Sequence, residues 1–308
     1  MSNTRDRKRF MNKNKGDKLF WLCLVFPSFL ICFSFIIIPI IDSVIKSFTD
    51  YKLVNLVQNI PGKWNNFKNY TRLFESGKIQ SSIKITLFFV FWVTVITFVV
   101  GFTVALILSS KIKGARFLRS IMMIPWVVPT VIGALVWMWI FSNPYGLFRY
   151  LVSVVTNGTV TDTAVLSSTK YAIWGVIATA LWKQIPLMTL LLLAGLQNVS
   201  SDLMDAATID GTNYFQRIVY VILPSIKSVV KVAVSMCIIE NFKQYPLFAA
   251  LTNGGPANST TTLAVLSYDE AFVQYNYGSG SAVTTIWMLL MILCIVVYNL
   301  IFKERKER

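Results

Sequence analysis

Seven polar or aromatic side chains stand inside otherwise apolar windows of this 308-residue chain: Trp182, Lys183 and Gln184 in one, Glu240, Asn241, Gln244 and Tyr245 in another. Lys183 lies twelve residues beyond Tyr171 and Glu240 eleven beyond Val229. In a helix rising about 1.5 Å per residue these positions are roughly 18 and 16 Å deep, near the middle of a hydrocarbon layer of about 30 Å. A charge there costs about 2.5–3.5 kcal/mol on insertion scales, so each must face the protein interior, a partner charge or a hydrated space. Two arrangements meet that demand. In one, Glu240 pairs with Lys243 a turn further on and Lys183 reaches outward along the bundle. In the other, the seven residues line a polar cavity for a sugar, with aromatic faces against the apolar side of a pyranose and amides and carboxylates bonding its hydroxyls.

Other chemistries are excluded by omission. Histidine is absent, which removes imidazole metal sites, Ser-His and Cys-His nucleophile pairs and histidine proton relays. Cys23, Cys32, Cys237 and Cys294 all lie in apolar runs without CxxC spacing, so they read as core residues. There is no metal-ligand cluster, no paired carboxylates and no activated nucleophile, hence no expected catalytic residue and no expected metal. No GxxxxGK loop is present to cradle a nucleotide, so energy for any transport must come from another chain or from an ion gradient. An ion-coupled carrier using Glu240 as its proton site is therefore an alternative.

The elements that must hold the seven residues are membrane helices. The chain is 55% hydrophobic and only 14% charged, with mean hydropathy +0.60, against about a quarter charged residues in soluble domains. Six windows have the length and apolarity of spans, at about 19–41, 85–109, 120–142, 171–195, 228–250 and 281–302. The expected architecture is all-α and polytopic, a single six-span domain over 19–303 with short tails at 1–18 and 304–308. The net charge of +15 would suggest nucleic acid in a soluble protein. Here the cations before Leu19, those from Lys111 to Arg119 and those after Phe302 sit on one side of the six windows, which orients both termini to the cytoplasm.

The longest cytoplasmic connection, about 197–227, reads as a short helix, a glycine break and a second helix. Ser200, Ser201 and Asp202 supply caps and dipole partners, and Gly211 permits the left-handed turn that ends the first helix. Leu203, Ala206, Ala207 and Asp210 recur at helical spacing, a narrow face of small residues open to close approach.

The run Asp205-Ala206-Ala207-Thr208-Ile209-Asp210-Gly211, with Gln216 and Ile222-Leu223-Pro224, resembles the EAA signature of permease subunits in ATP-binding-cassette importers. Asp205 stands where that family usually has Glu. The chain as a whole is similar to the sugar-permease branch, the maltose and glycerol-phosphate type. That likeness is carried by Phe26-Pro27 through Ser47-Phe48-Thr49-Asp50, by Ile124-Pro125-Trp126 to Pro129 with Asn143-Pro144-Tyr145-Gly146, and by Leu251 to Pro256 with Thr260-Thr261-Thr262 and Tyr268.

The resemblance implies a type I importer permease fold in a bacterial inner membrane. Its implied partners are a second, different permease, two cytoplasmic ATPase subunits that bind ATP and magnesium, and an extracellular solute-binding protein. This chain itself is then expected to bind no cofactor. It further implies that Asp205, Ala206, Ala207, Asp210 and Gly211 seat in a groove of the ATPase, and that Asn241 and Gln244 are amide-bearing pocket positions. Glu240, Lys183 and Gln184 fall on pocket positions but differ in type, so neutral sugars, sugar acids and polyol phosphates all stay open.

Overall fold

The computed structural model describes residues 20–110, 113–143, 145–160 and 163–302. The expected cytoplasmic tails, 1–18 and 304–308, lie outside the described residues. Four long apolar helices run without a break: α1 (Phe20–Ser47), α4 (Lys78–Ser109), α8 (Ala172–Leu196) and α14 (Tyr277–Ile301). Two further windows are bent pairs. In the first, α5 (Ala115–Val127) and α6 (Thr130–Ile140) meet at 94°. In the second, α10 (Tyr214–Ser225) and α11 (Lys227–Phe242) meet at 78°, and after a break at Lys243–Gln244 the chain continues as α12 (Tyr245–Leu251). Short helices fill the connections: α2 (Leu53–Val57), α3 (Lys68–Glu75), α7 (Leu147–Val155), α9 (Ser201–Ile209) and α13 (Leu263–Tyr268). One small antiparallel ribbon, β1 (Thr49–Asp50) with β2 (Lys63–Trp64), clips the first connection.

Local chemistry sets these boundaries. Pro129 has no N–H to continue a helix and Val128 before it is extended, and the third window breaks there. Side chains cap the starts that follow loops: Asn213 and Gln216 form a reciprocal box, Thr262 accepts from the Val265 N–H and Asn276 from the Ser279 N–H. The first helix continues past the expected Ile41 to Ser47, carrying the Lys46–Asp42 ion pair at 2.6 Å on its surface. The second begins at Lys78, two turns before the apolar window, because a helix projecting beyond the hydrocarbon needs no apolar side chains.

The core is the seam between α4 and α8, joined by α11 and α12. Phe89, Val93, Ala105, Val176, Ile177, Leu192, Phe242 and Phe248 are buried there. Approach is close enough that a Cβ on Gly101 would stand 2.8 Å from Cγ of Met188. By contrast α1 buries none of its apolar window within the chain.

Candidate functional site

A cavity of about 370 Å³ opens among α4, α8, α11 and the bend of the third window. Lys183, Gln184 and Leu187 project into it from α8, and Ala233, Met236, Cys237 and Glu240 from α11. Gln244 closes one end, and Thr97, Trp126 and Thr130 complete the wall. The spacing on α8 and α11 is that of one helix face each. The site is thus built by two helix faces set against a broken third helix.

Lys183 answers the break. Its Nζ donates to the backbone oxygens of Trp126, at 3.3 Å, and Val128. Ending α5 at Val127 leaves such carbonyls without helical donors, and a cation suits the negative end of a helix dipole. The ammonium therefore straps α8 to the bend.

Glu240 takes Lys243 instead, at 2.8 Å, with about half of both side chains exposed. No ion pair joins Lys183 to Glu240 among the described residues. Glu240 pairs with Lys243 as in the first arrangement, Lys183 bonds to the bend instead of reaching outward along the bundle, and both charges line the cavity.

Behind them lies an amide network. Gln184 Nε2 donates to Asn241 Oδ1 at 2.8 Å, Asn241 Nδ2 donates to the Cys237 carbonyl at 2.9 Å, and Cys237 Sγ donates to Gln184 Oε1 at 3.5 Å. Asn241 is 2% exposed and stands behind Gln184. It fixes which way the Gln184 amide faces, and that amide keeps a donor and a lone pair for a guest.

Three of the seven residues do not belong to the cavity wall: Asn241 stands behind Gln184, and Trp182 and Tyr245 face elsewhere. Trp182 points away, its ring edge-on to Trp137 at 6.1 Å and beside Gly133 of α6. Tyr245 faces Tyr268 at 4.8 Å. Consecutive helical residues differ by about 100°, so three in a row cannot share one face. Sequence reasoning missed Thr97, Trp126, Thr130 and Cys237. Trp126 reads as a packing residue, and only Pro129 signals that the backbone beside it is open.

The helical hairpin of α9 and α10 turns at Gly211, whose φ is +71°. Asp205, Ala206, Asp210 and Gly211 are exposed, and Ile209 is 86% exposed beside the exposed Tyr214 and Phe215. Ala207 is a correction to the expected seating face: it is buried, and its carbonyl accepts the Thr212 N–H, closing the turn from inside. The outward surface is instead Leu203, Ala206, Ile209 and Asp210.

At the opposite end of the bundle, Glu270 is 2% exposed and bonded to Arg72 at 2.9 Å, with Lys78 at 3.7 Å. Arg72 also donates to Ser279 Oγ at 2.9 Å, which ties α3 to the start of α14. The neighbouring Asp269 has its carboxyl pushed up by burial and by the Glu270 charge, partly offset by Lys78.

Residues 97–307 match the family of binding-protein-dependent transport system inner membrane components, and the chain belongs to that family. It is thus a multi-pass inner-membrane permease subunit. Family membership does not support the ion-coupled carrier. Among relatives, the trehalose/maltose transport system permease protein MalF of Thermococcus litoralis is 32% identical over 298 residues, covering 96% of this chain and 97% of that one. The sn-glycerol-3-phosphate permease UgpA of Agrobacterium fabrum is 27% identical over 295 residues, covering 94% and 96%. In fold, the chain matches one of a bacterial ABC transporter involved in alginate import with a TM-score of 0.79 at 19% identity, covering 97% of this chain and 100% of that chain. The fold is that of an ABC importer permease.

Proposed function

We propose that this chain is one half of the membrane pore of an ATP-binding-cassette importer that carries a carbohydrate handed over by an extracellular binding protein. The observation that carries this reading is the cavity wall: amides oriented by a buried network, a carboxylate and an ammonium converge on a space of about 370 Å³. Such a wall suits a neutral, hydroxyl-rich guest, since fixed donors and acceptors replace the water that the guest loses. The lengthwise similarity to a trehalose/maltose permease supports the same substrate class.

Lys183, Gln184, Glu240 and Gln244 would meet the substrate, with Asn241 orienting Gln184. The α9–α10 hairpin would seat on a separate ATPase through Asp205, Ala206 and Asp210, with Gly211 setting the bend and Ala207 bracing it. ATP and magnesium would stay on two such ATPase subunits, and a second, different permease would complete the pore. Both termini would face the ATPases. Closure of the ATPase dimer would move the hairpin as a rigid body and rock α11 against α8, with the breaks near Pro129 and Gln244 as pivots.

The test is uptake of a labelled saccharide, chosen from a thermal-shift screen of the cognate binding protein. Vesicles would hold both permeases and the ATPase. Uptake requiring ATP and the binding protein is expected. Uptake that persists without ATP and is abolished by an uncoupler would overturn the reading.

A further inference from the structure

Tyr245, although outside the cavity, begins a row of aromatic rings that leads away from it. Tyr245 and Tyr268 have centroids 4.8 Å apart, Tyr268 and Phe272 5.0 Å, Phe272 and Tyr277 6.2 Å, and Tyr277 and Tyr51 6.1 Å. The row crosses four separate segments: the start of α12, the end of α13 with the turn after it, the start of α14, and the first connection. Its inner end adjoins Gln244, which lines the cavity. Its outer end is Tyr51, which follows the β1 strand and whose carbonyl accepts from the Gly278 N–H at 2.8 Å. The rings are not sealed in the core: Tyr268 is 42% and Phe272 56% exposed, and both lie on the same row as the half-buried Tyr245 and Tyr277.

We propose that this row is a guide track along which successive pyranose units of a saccharide stack between the outer surface and the cavity. The proposal rests on the carbohydrate reading above and extends it to oligosaccharides. A pyranose presents a face of C–H bonds that packs on an aromatic ring, while its hydroxyls stay at the edge for water or phenolic oxygens. The ring planes are tilted by 30° and 33° along the inner part of the row and by 87° and 57° toward Tyr277 and Tyr51, so a chain shifting outward turns as it passes from one ring to the next. The two central rings are open on this chain. Continuity with the cavity selects the guest, because whatever passes along the row arrives beside Gln244.

The test uses the complete transporter with its ATPase and binding protein in vesicles, and maltose and maltotetraose as probes. The variant is the double substitution Tyr268→Leu with Phe272→Leu, which keeps apolar bulk and removes both ring faces. Maltotetraose uptake at saturating binding protein is expected to fall about tenfold, the effect of about 1.4 kcal/mol, and maltose uptake by less than about twofold. Exchanging the rings, Tyr268→Phe with Phe272→Tyr, is expected to restore both. An equal loss for both sugars, or loss of the second permease on purification, would assign the rings to subunit packing and overturn the track. A wild-type complex that imports neither probe, nor any saccharide its binding protein retains, would remove the carbohydrate reading itself. Import of maltose alone by the wild type would overturn the track and leave that reading standing.

Discussion

Replacing Lys183 by Met separates two roles that one ammonium can play in a cavity wall. The structure assigns it two bonds to the carbonyls of Trp126 and Val128. Hydrogen bonds to a charged group contribute about 1.5–3 kcal/mol each, so the pair stabilises the bend by about 3–6 kcal/mol. Holding a cation near the bilayer midplane costs about 2.5–3.5 kcal/mol, which Met avoids. The net destabilisation is then about 0–3 kcal/mol, small enough for Lys183→Met to fold and insert. What changes is the shape of the wall, because Trp126 and Thr130 hang on the strap. Initial uptake in reconstituted vesicles, compared for a neutral sugar and a sugar acid of the same length, is therefore expected to weaken similarly for both. Lys183→Arg, which keeps the donors, is expected to retain most activity. A loss confined to the sugar acid, with neutral uptake untouched, would refute the strap and make Lys183 an anion contact.

Four other outcomes follow from the same geometry. Glu240→Ala is expected to lower substrate-stimulated uptake while leaving the purified complex intact; unchanged uptake with unchanged affinity would take Glu240 out of the site. Gly211→Val forces a β-branched residue to φ near +71°, costing at least about 1–2 kcal/mol, and should lower transport-coupled ATPase rates, with Gly211→Asn milder because Asn tolerates that region. Arg72→Ala leaves the buried Glu270 with only Lys78 at 3.7 Å and is expected to destabilise the protein by about 3 kcal/mol, read as a lower melting temperature in detergent that Arg72→Lys partly recovers. Asp269→Asn removes a carboxylate that the fold disfavours; since its pKa is raised, wild-type stability is lost as pH rises through that value, so the variant should melt higher at neutral pH and the gap should close on acidification.

The charges were the most legible part of the site. Lys183 and Glu240 stand out in a sequence because a bilayer tolerates them only where they have partners, and both line the cavity. Which neighbours join them depends on rotation about each helix. Run together as Trp182-Lys183-Gln184 and Glu240-Asn241, they look like one cluster, yet the helical step sends Trp182 to α6 and Asn241 behind Gln184. Thr97 and Trp126 were invisible because a pocket wall inside a membrane is mostly apolar and reads like any packed helix. Likewise the helix–Gly–helix pattern of the hairpin is local and reads directly from its caps, whereas the inward turn of Ala207 depends on a backbone bond from Thr212. Of the prolines, Pro129 breaks its helix and Pro186 does not, so the residue type alone does not locate the break.

The strap between α8 and the bend also bears on ion leakage. A pathway wide enough for a sugar is wide enough for hydrated sodium or a proton wire, and either would discharge the membrane potential at each opening. Lys183 is held in the wall by carbonyls that carry no formal charge to neutralise it, and Glu240 is already matched by Lys243. This chain's side of the cavity thus carries one positive charge without a carboxylate partner among the described residues, which would raise the energy of any small cation entering it.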